Sequence, residues 1–388
     1  MSASPASARV TVLGATGSIG RQALEVIAHH RDRLMAVGLS AGADLEGLIA
    51  LARTVRPEAL ALERSTDESA ARAALRAAAP QAEVRVGAGS AEWLAASSGA
   101  AVIVNGIVGS AGLGASLAAL GTGARLALAN KESLVVGGAL VRRALQVGGE
   151  LVPVDSEHSA ALQCLCGRPP VEVERLVITA SGGALRAHPD WRRASRSEVL
   201  AHPVWKMGPR ITVDSATLFN KGLELIEARW LFDLDWPKLQ AVLHPQARIH
   251  AMAIFRDGSS VVQAASPDMR LPIQLALSWP EHWIGEVAPL TPERLAGLEF
   301  APIPDGRFPC FDLARQAGEA GGTLPCALNA ADEVAVAAFL DGALSLGQVP
   351  ECIARVLDQH LREEVESLEQ LRSVDRRARE AARAAVPA

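Results

Sequence analysis

Three acidic side chains at two distant places in the chain have the chemistry to bind a divalent cation. Asp155 and Glu157 follow a predicted strand from Leu151 to Val154, and in an extended segment residues i and i+2 lie on the same face. Two carboxylates held this close repel each other unless a cation or a proton lies between them. Hard oxygen ligands suit Mg²⁺ or Mn²⁺ rather than zinc, and Glu224 would complete a three-carboxylate site. The alternative is that Asp155 only caps a helix.

Lysine is rare in this chain, so each lysine is informative. Only four of the 38 cationic side chains are lysine, and a compact ammonium acts as a movable point charge toward a phosphate, a carbonyl oxygen or a carboxylate. Lys131 stands in Asn130-Lys131-Glu132 after the sixth predicted strand, at the edge where open α/β sheets bind ligands. The alternative is a helix start with Asn130 as N-cap, although lysine is mildly unfavourable in a first helical turn.

The segment from Asp214 to Trp230 combines helical periodicity with polar groups. We expect one helix in which Asn220 and Glu224, at i and i+4, point along the same face. Ser215 near its start, with Asn220 and Lys221 just beyond, provides a hydroxyl, an amide and an ammonium for an anion. The alternative is an amphipathic helix whose polar residues are merely solvated.

Two further segments predict phosphate contacts and a lid. Ser181-Gly182-Gly183 follows a predicted strand and offers a hydroxyl and a pliable backbone to a phosphate. The segment from His202 to Gly208 contains proline and glycine without hydrophobic periodicity, so it predicts a loop. An indole and a thioether on such a loop, Trp205 and Met207, suggest a lid that closes over a ligand. Trp205 could instead be fixed in the core, and Lys206 is either part of the lid or solvated.

A glycine-rich turn near the N-terminus predicts a nucleotide site. The segment Gly14 to Gly20 follows the first predicted strand and opens a helix, so its backbone can approach a pyrophosphate at the helix N-terminus. Cofactor choice is decided at the end of the second strand, where the chain reads Ser40-Ala41-Gly42-Ala43-Asp44. This is neither the acidic signature for a ribose hydroxyl nor the cationic one for a 2′-phosphate. Arg64, just past the third strand, could reach a 2′-phosphate or could be solvated.

The elements that must position these residues fall into regions of different pattern. Up to Leu151, short β-type runs alternate with helical stretches, which predicts a doubly wound parallel sheet. Longer strands then mix with one strong helix, prolines crowd the next stretch, and helical patterns rich in Ala, Glu, Leu and Arg follow. The predicted fold class is α/β, with a central α+β domain and a C-terminal helical bundle. The predicted divisions are 1–152 for nucleotide binding, 153–278 for catalysis, 279–308 for a linker and 309–388 for the helical domain.

Composition excludes several other classes of protein. A net charge of −5 argues against nucleic-acid binding, and the weakly polar run Ala100 to Gly121 is interrupted by polar residues and so is a poor membrane span. We expect no cleavable signal at the N-terminus, because a short Ser/Ala stretch leads directly into a strand. The five cysteines are irregularly spaced, as packing thiols in a reducing compartment would be, and the cytoplasm is the expected location.

These segments in this order resemble the 1-deoxy-D-xylulose 5-phosphate reductoisomerase family of the non-mevalonate isoprenoid pathway. The resemblance covers nearly the whole chain and is most specific from Val213 to Trp230. Its other carriers are the Gly14 loop, Pro-Val-Asp155-Ser-Glu157-His158, His202-Pro203, His244-Pro245-Gln246, Asp268-Met269-Arg270 and Ala327-Leu-Asn329-Ala-Ala.

The resemblance implies an NADPH-dependent homodimer with a Rossmann-like N-terminal domain, and it implies a role for each motif. It places Mn²⁺ or Mg²⁺, with Co²⁺ as a further candidate, on Asp155, Glu157 and Glu224. Lys131 and Ser156 would lie near the reacting oxygens of the substrate, beneath a lid with Trp205 and Met207. The substrate phosphate would lie among Ser181, His202, Ser215, Asn220 and Lys221. The cofactor would contact Thr16, Gly17, Ser18, Ile19, Gly42, Asn130, Glu132, Gly208 and Met269.

Two departures from the family pattern are present. Many relatives have a basic or amide residue beside the glycine after the second strand, where this chain has Ala43 and Asp44, so the strength of the NADPH preference is an open question. Many relatives read Ser-Gly-Gly-Pro-Phe, where this chain has Ala184 and Leu185 in the last two places, a change expected to affect packing more than chemistry.

The implied reaction is a rearrangement of 1-deoxy-D-xylulose 5-phosphate to an aldehyde, which hydride from NADPH then reduces to 2-C-methyl-D-erythritol 4-phosphate. A retro-aldol/aldol sequence and an α-ketol shift both fit these residues. Two rival functions use the same nucleotide fold. One is a metal-free dehydrogenase of a small phosphorylated or carboxylated substrate, and the other is a nucleotide-sensing or assembly protein whose acidic cluster is structural. The convergence of three carboxylates with Lys221 argues against both.

Overall fold

A computed structural model describes residues 7–205 and 207–387 of the chain. The described chain forms two compact units. One comprises the residues up to Ser133, Val141–Asp155 and Met269–Val287. The other comprises Leu134–Leu140, Ser156–Asp268 and the residues from Ala288 onwards. The four-part division predicted from the sequence stays a prediction.

The first unit is built on a parallel sheet of seven strands. The strands are β1 (Ala8–Leu13), β2 (Leu34–Ala41), β3 (Ala59–Leu62), β4 (Glu83–Val86), β5 (Val102–Asn105), β6 (Arg125–Leu128) and β7 (Glu150–Pro153). Their order is β4-β3-β2-β1-β5-β6-β7, so the winding direction reverses between β1 and β5. Ligands of doubly wound sheets bind at such a reversal, outside the carboxyl ends of the strands.

Helices connect these strands and bury the sheet. They are α1 (Ser18–His29), α2 (Leu45–Val55), α3 (Glu68–Ala78), α4 (Ser90–Ser97), α5 (Gly112–Gly121) and α6 (Glu132–Leu145). The central strands are almost completely buried, from Val10 and Val12 in β1 to Leu126 and Leu128 in β6. Strands buried on both faces become continuous apolar runs, which is why the sequence rhythm predicted this sheet correctly.

The second unit contains a mixed sheet that carries helices. The chain continues with α7 (Ser156–Leu165), β8 (Val173–Ala180), α8 (Arg196–Leu200), α9 (Pro209–Ala216), α10 (Phe219–Phe232), β9 (Leu239–Leu243), β10 (Ile249–Phe255) and β11 (Ser260–Ala264). Helix α11 (Arg270–Ser278) belongs to the first unit and packs on α1, and β12 (Ala301–Pro302) follows it. The sheet order is β11-β10-β8-β9-β12, with β8 and β9 parallel and the other pairs antiparallel. Helix α7 and Ala228 of α10 form a core with β8 and β10.

The C-terminal part of the second unit is helical, as the sequence predicts. It contains α12 (Pro309–Ala320), α13 (Leu324–Leu340), α14 (Gln348–Gln359) and α15 (Leu368–Ala385). Helix α13 packs against α12, α14 and α15, and α12 packs against α10. No helix in the described ranges is long and apolar enough to cross a bilayer.

Candidate active site

The turn between β1 and α1 is shaped by its glycines. Gly14 has a φ of +73°, and a Cβ there would lie 2.7 Å from the carbonyl oxygen of Gly106. A Cβ on Gly20 would collide with the backbone of Gly14 and Ala15, so this glycine lets α1 pack closely on the end of β1. The spacing of the glycines thus has two physical causes, a left-handed turn and a close approach of helix to strand.

The N-terminus of α1 has unpaired backbone N–H groups that can bind an anion. Helices α2 and α3 are capped by Asp44 and Asp67, which accept hydrogen bonds from Gly47 N and Ala70 N at 2.9 Å. Helix α1 starts after Gly17 with no side-chain cap and no acidic residue in its first turn. Its free N–H groups and positive dipole end suit a pyrophosphate. The predicted contact residues Thr16, Gly17, Ser18 and Ile19 form this turn.

Asn130 and Glu132 lie at the carboxyl end of β6 and are buried. The amide nitrogen of Asn130 donates to the carbonyl oxygens of Ile107 and Gly109 at 2.7 and 2.8 Å, and Glu132 accepts from Gly109 N at 3.2 Å. Ser133 N donates to Asn130 Oδ1 at 3.0 Å, as it would to an N-capping side chain. Both side chains therefore hold the loop after β5 in place, and this structural role accompanies any contact with a cofactor.

Lys131 pairs with Asp155 inside the first unit. The ammonium lies 2.8 Å from Asp155 Oδ2, and the two side chains are only 10% and 15% exposed. Lys131 begins α6 after β6, and Asp155 follows β7, the neighbouring strand, so both stand at the carboxyl edge of the sheet. The rare lysine that the sequence singled out is thus placed beside a candidate metal ligand.

Lys221 lies between two carboxylates in the second unit. Its ammonium contacts Glu157 Oε1 at 2.8 Å and also binds Glu224. Burial alone would lower the pKa of Lys221, but the charges of Glu157 and Glu224 raise the pKa above its ordinary value. The lysine therefore stays charged, and the two carboxylates hold positive charge in a place that excludes water.

The structure brings two of the three predicted acids together, since Glu157 and Glu224 of the second unit lie on either side of the Lys221 ammonium. Asp155 ends the last segment of the first unit that precedes them in the chain, where it pairs with Lys131. The sequence predicted that Asp155 and Glu157 share a face because both lie in an extended segment, and this was wrong in part. Helix α7 begins at Ser156, so Glu157 lies in its first turn. Ser156 Oγ donates to Glu157 Oε2 at 2.5 Å. Carboxylate oxygens gathered around a positive charge suit a cation of the Mg²⁺ or Mn²⁺ type.

Three predicted phosphate contacts form a second cluster, in which His202 is central. Its Nδ1 accepts hydrogen bonds from the backbone N–H groups of Val204 and Trp205, at 3.2 and 2.9 Å. The proton of the neutral ring must therefore be on Nε2, which lies 3.2 Å from Ser181 Oγ and 3.1 Å from Ser215 Oγ. The cluster presents one imidazole N–H and two hydroxyls, all donors that suit a phosphate oxygen.

The predicted single helix from Asp214 to Trp230 is wrong, because the chain breaks it at Leu218. Leu218 has a φ of +55°, so α9 ends at Ala216 and α10 begins at Phe219. Ser215 accordingly lies in the last turn of α9 instead of near the N-terminus of the longer helix. Gly183 makes this junction possible, since a Cβ on it would lie 2.6 Å from Ser215 O. Asn220 and Glu224 do meet at i and i+4, with the amide donating to Glu224 Oε1 at 2.5 Å.

The predicted lid residues lie on an irregular segment between α8 and α9. Trp205 and Met207 are half-buried, and the Trp205 ring lies 6.4 Å from the ring of His250 at an angle of 59°. Gly208 is exposed and precedes α9 as its N-cap. Lys206 lies outside the described residues.

The remaining predicted cofactor residues, Gly42 and Met269, belong to the first unit. Gly42 is exposed just past β2, and Met269 is half-buried just before α11.

A buried pair beside the acidic cluster was missed by the sequence reasoning. His158 Nε2 donates to the carbonyl oxygen of Glu224 at 2.9 Å, and Nδ1 lies 3.2 Å from Glu227 Oε2, with both side chains fully buried. Nε2 carries the proton of this hydrogen bond, because a carbonyl oxygen can only accept. The pair ties α7 to α10 and so fixes Glu157 relative to Glu224. The available signal was Glu227 itself, one helical turn after Glu224.

Comparisons with known proteins agree with this geometry. The sequence model described as 1-deoxy-D-xylulose 5-phosphate reductoisomerase matches residues 10–138, and two models of the C-terminal domains of the same enzyme match residues 151–232 and 264–381. A protein of that name from Moorella thermoacetica is 47% identical over 95% of this chain and 96% of its own length. One from Beutenbergia cavernae is 49% identical over 90% of both chains.

Solved structures extend the likeness to the fold. The reductoisomerase from Zymomonas mobilis in complex with NADPH superimposes with a TM-score of 0.90, at 37% identity, over 97% of this chain and 98% of its own. A DOX-P reductoisomerase in complex with NADPH, fosmidomycin and magnesium gives a TM-score of 0.89 at 35% identity and the same coverage.

Proposed function

We infer the function from this kinship: the chain belongs to the 1-deoxy-D-xylulose 5-phosphate reductoisomerase family. It is an NADPH- and divalent-metal-dependent enzyme that rearranges and reduces 1-deoxy-D-xylulose 5-phosphate to 2-C-methyl-D-erythritol 4-phosphate. The observation that carries this conclusion is the pair Glu157 and Glu224 around a buried positive charge, in a chain whose first unit has an uncapped helix N-terminus after a glycine-rich turn. A metal-free dehydrogenase would not need this cluster.

Asp155, Glu157 and Glu224 are the proposed metal ligands. The bound cation would polarise two neighbouring oxygens of the substrate and stabilise negative charge that develops on them. The chain fits such an ion because Glu157 and Glu224 already enclose one positive charge, the ammonium of Lys221. Lys131 holds a proton toward Asp155, and we assign it to a reacting oxygen of the substrate, with Ser156 beside it.

The phosphate of the substrate is assigned to Ser181, His202, Ser215, Asn220 and Lys221. The support is the donor cluster around His202 Nε2, together with Lys221, whose pKa is raised by the charges of Glu157 and Glu224. A substrate held at its phosphate is oriented before the reaction, so binding energy is spent on positioning. Closure of the segment with Trp205 and Met207 would exclude water from the reacting atoms.

NADPH is assigned to the β1–α1 turn. Its dihydronicotinamide supplies the hydride, and the uncapped α1 N-terminus with Thr16, Gly17, Ser18 and Ile19 would bind the pyrophosphate. Gly42 belongs to the adenosine end of this assignment. Asn130, Glu132 and Met269 belong to its nicotinamide end, with Gly208 as a further contact.

A homodimer in the cytoplasm is the proposed state of the enzyme. Strand β11 lies at one edge of the mixed sheet, and Val261 and Val262 on it are 37% and 42% exposed. An exposed apolar edge strand is suited to pair with a second copy of the same strand. All five cysteines are free, as expected of a protein in a reducing compartment.

The test is an anaerobic assay of NADPH oxidation with 1-deoxy-D-xylulose 5-phosphate and Mn²⁺. Glu224→Gln keeps the shape of the side chain but removes one charged ligand, so we expect a loss of several orders of magnitude in kcat, while circular dichroism at the assay temperature shows that the variant is folded. Glu351→Gln, an exposed glutamate in the first turn of α14, is the matched control and should keep full activity. Activity of the wild type after complete removal of metal by EDTA would contradict the metal requirement.

A further inference from the structure

Arg64 is held at the carboxyl end of β2, although it belongs to the loop after β3. Strands β2 and β3 run in parallel with Ala41 paired to Leu62, and Arg64 N donates to Gly42 O at 2.8 Å. The root of the side chain is therefore fixed beside Gly42. In a doubly wound nucleotide fold, this end of β2 is where the 2′ position of the adenosine ribose is recognised.

The guanidinium extends over Gly42. One of its terminal nitrogens lies 3.8 Å from the place that a Cβ on Gly42 would occupy. Arg64 and Gly42 are both exposed, so the space above the glycine is open to a ligand. Within the described part of the chain the Arg64 side chain makes no hydrogen bond or ion pair, so its donors are available.

The acids around Arg64 are engaged with backbone N–H groups. Glu63 accepts from Gly89 N and Ala91 N at 2.7 and 3.1 Å, at the start of α4. Asp44 caps α2, and Asp67 caps α3. Each carboxylate thus completes a helix N-terminus and leaves the guanidinium without a competing partner.

Neither the residues after β2 nor Arg21 provides a free cationic side chain beside Gly42. The stretch from Ser40 to Leu48 contains no lysine or arginine. Arg21, on the first turn of α1, donates through Nε to Thr16 O at 2.9 Å and so is tied to the glycine-rich turn. The residues that follow Gly42 are Ala43 and Asp44, so a positive charge at this end of β2 has to come from elsewhere in the fold.

We propose that Arg64 binds the 2′-phosphate of NADPH and gives this enzyme its preference for NADPH over NADH. The inference rests on the proposed function, because it takes the cofactor to lie along the β1–α1 turn. A planar guanidinium can donate two parallel hydrogen bonds to a phosphate, and an NADH ribose lacks that group.

The experiment measures binding of NADPH and NADH by isothermal titration calorimetry, without substrate or metal. Arg64→Ala should raise the Kd for NADPH roughly 10- to 100-fold, as expected for the loss of charge-assisted hydrogen bonds, and leave the Kd for NADH within about twofold. Arg64→Lys should give an intermediate Kd, because it keeps the charge and loses the paired geometry. Arg53→Ala, which removes an exposed arginine from α2, is the control and should match the wild type.

The outcomes separate this inference from the assignment of the cofactor site. Equal weakening of both dinucleotides by Arg64→Ala, or no change in either, would overturn the role of Arg64 while the wild type still binds NADPH. Failure of the wild type to bind NADPH at all would overturn the proposed function together with the inference. A thermal melt of Arg64→Ala that coincides with that of Arg53→Ala shows that a lost affinity is not lost folding.

Discussion

The protonation of His202 makes the stability of the cluster of Ser181, His202 and Ser215 depend on pH. Burial lowers the pKa of His202 below its ordinary value of 6.5, and Nδ1 accepts two backbone hydrogen bonds that an imidazolium could not accept. The unfolded chain binds the proton at higher pH than the folded chain does. The contribution of His202 to stability is therefore complete above pH 6.5 and is lost as the pH falls through the lowered pKa of the folded state.

We therefore predict that replacing His202 flattens the acid limb of the stability curve. The variant His202→Asn cannot titrate, and its side-chain oxygen can still accept from the turn. Urea unfolding at pH 7.5 and pH 5.5, followed by tryptophan fluorescence, should show a smaller loss of unfolding free energy for the variant than for the wild type. An equal loss in both proteins would show that His202 does not hold this turn through its neutral ring.

At the residue level, the sequence predicts which side chains do chemistry better than it predicts their partners. The low number of lysines in the chain drew attention to Lys131 and Lys221, and the i, i+2 spacing of the two acids drew attention to Asp155 and Glu157. The pairs Lys131 with Asp155 and Lys221 with Glu157 join residues 24 and 64 positions apart, so they depend on which strand and helix ends are neighbours. His158 escaped notice as a partner of Glu227, because a lone histidine carries no periodic signal.

The elements around the site are positioned by small residues where helices cross. Helix α10 carries Glu224 and packs on α12, and a Cβ on Gly222 would collide with the Cβ of Ala314. Ala314 is completely buried, so there is no free space between the two helices for an added methyl group. A methyl group at this crossing would push α10 away from α12.

The same substitution should therefore have opposite effects at two helical glycines. Gly222→Ala should lower the free energy of unfolding by about 1–2 kcal/mol, because overpacking costs more than the gain in helix propensity. Gly121→Ala, at the end of α5 where a Cβ meets nothing within 4 Å, should raise it by up to about 1 kcal/mol. Chemical denaturation of both variants tests this, and a stabilised Gly222→Ala would show that α12 shifts freely.

Strands were predicted more accurately than helix breaks. The predicted run from Ala59 to Leu62 coincides with β3, a fully buried apolar run, and that from Glu83 to Val86 coincides with β4. Strand β4 lies at the sheet edge, so its residues alternate between exposed and buried. The helix break at Leu218 could not be predicted locally, because the residue with the left-handed backbone is a leucine and not a glycine or a proline. Its left-handed backbone depends on tertiary packing against Gly183, which no local pattern encodes.

At the scale of the whole molecule, the order of strands decides which loops can share a ligand. The reversal between β1 and β5 places the glycine-rich turn next to Gly106, and β6 and β7 follow on the same side. The sequence predicts a doubly wound sheet, but strand order is not a periodic signal and had to come from the structure or from the family resemblance. The mixed sheet was foreseen only as longer strands.

The exposed edge of that mixed sheet leads to a prediction about assembly. Val262 lies on β11 opposite Met252 of β10, with 42% of its surface exposed. A lysine there would place a charge on the edge that the proposed dimer buries. Light scattering after gel filtration should give about twice the chain mass of 40.6 kDa for the wild type and the single mass for Val262→Lys. Equal masses for the two proteins would place the interface elsewhere.

The ammonium of Lys221 lowers the cost of holding two carboxylates close together inside the protein. Placed between Glu157 and Glu224, it offsets one of their two negative charges and reduces their mutual repulsion. The fold of this region therefore does not depend on a bound metal ion to keep the two carboxylates side by side.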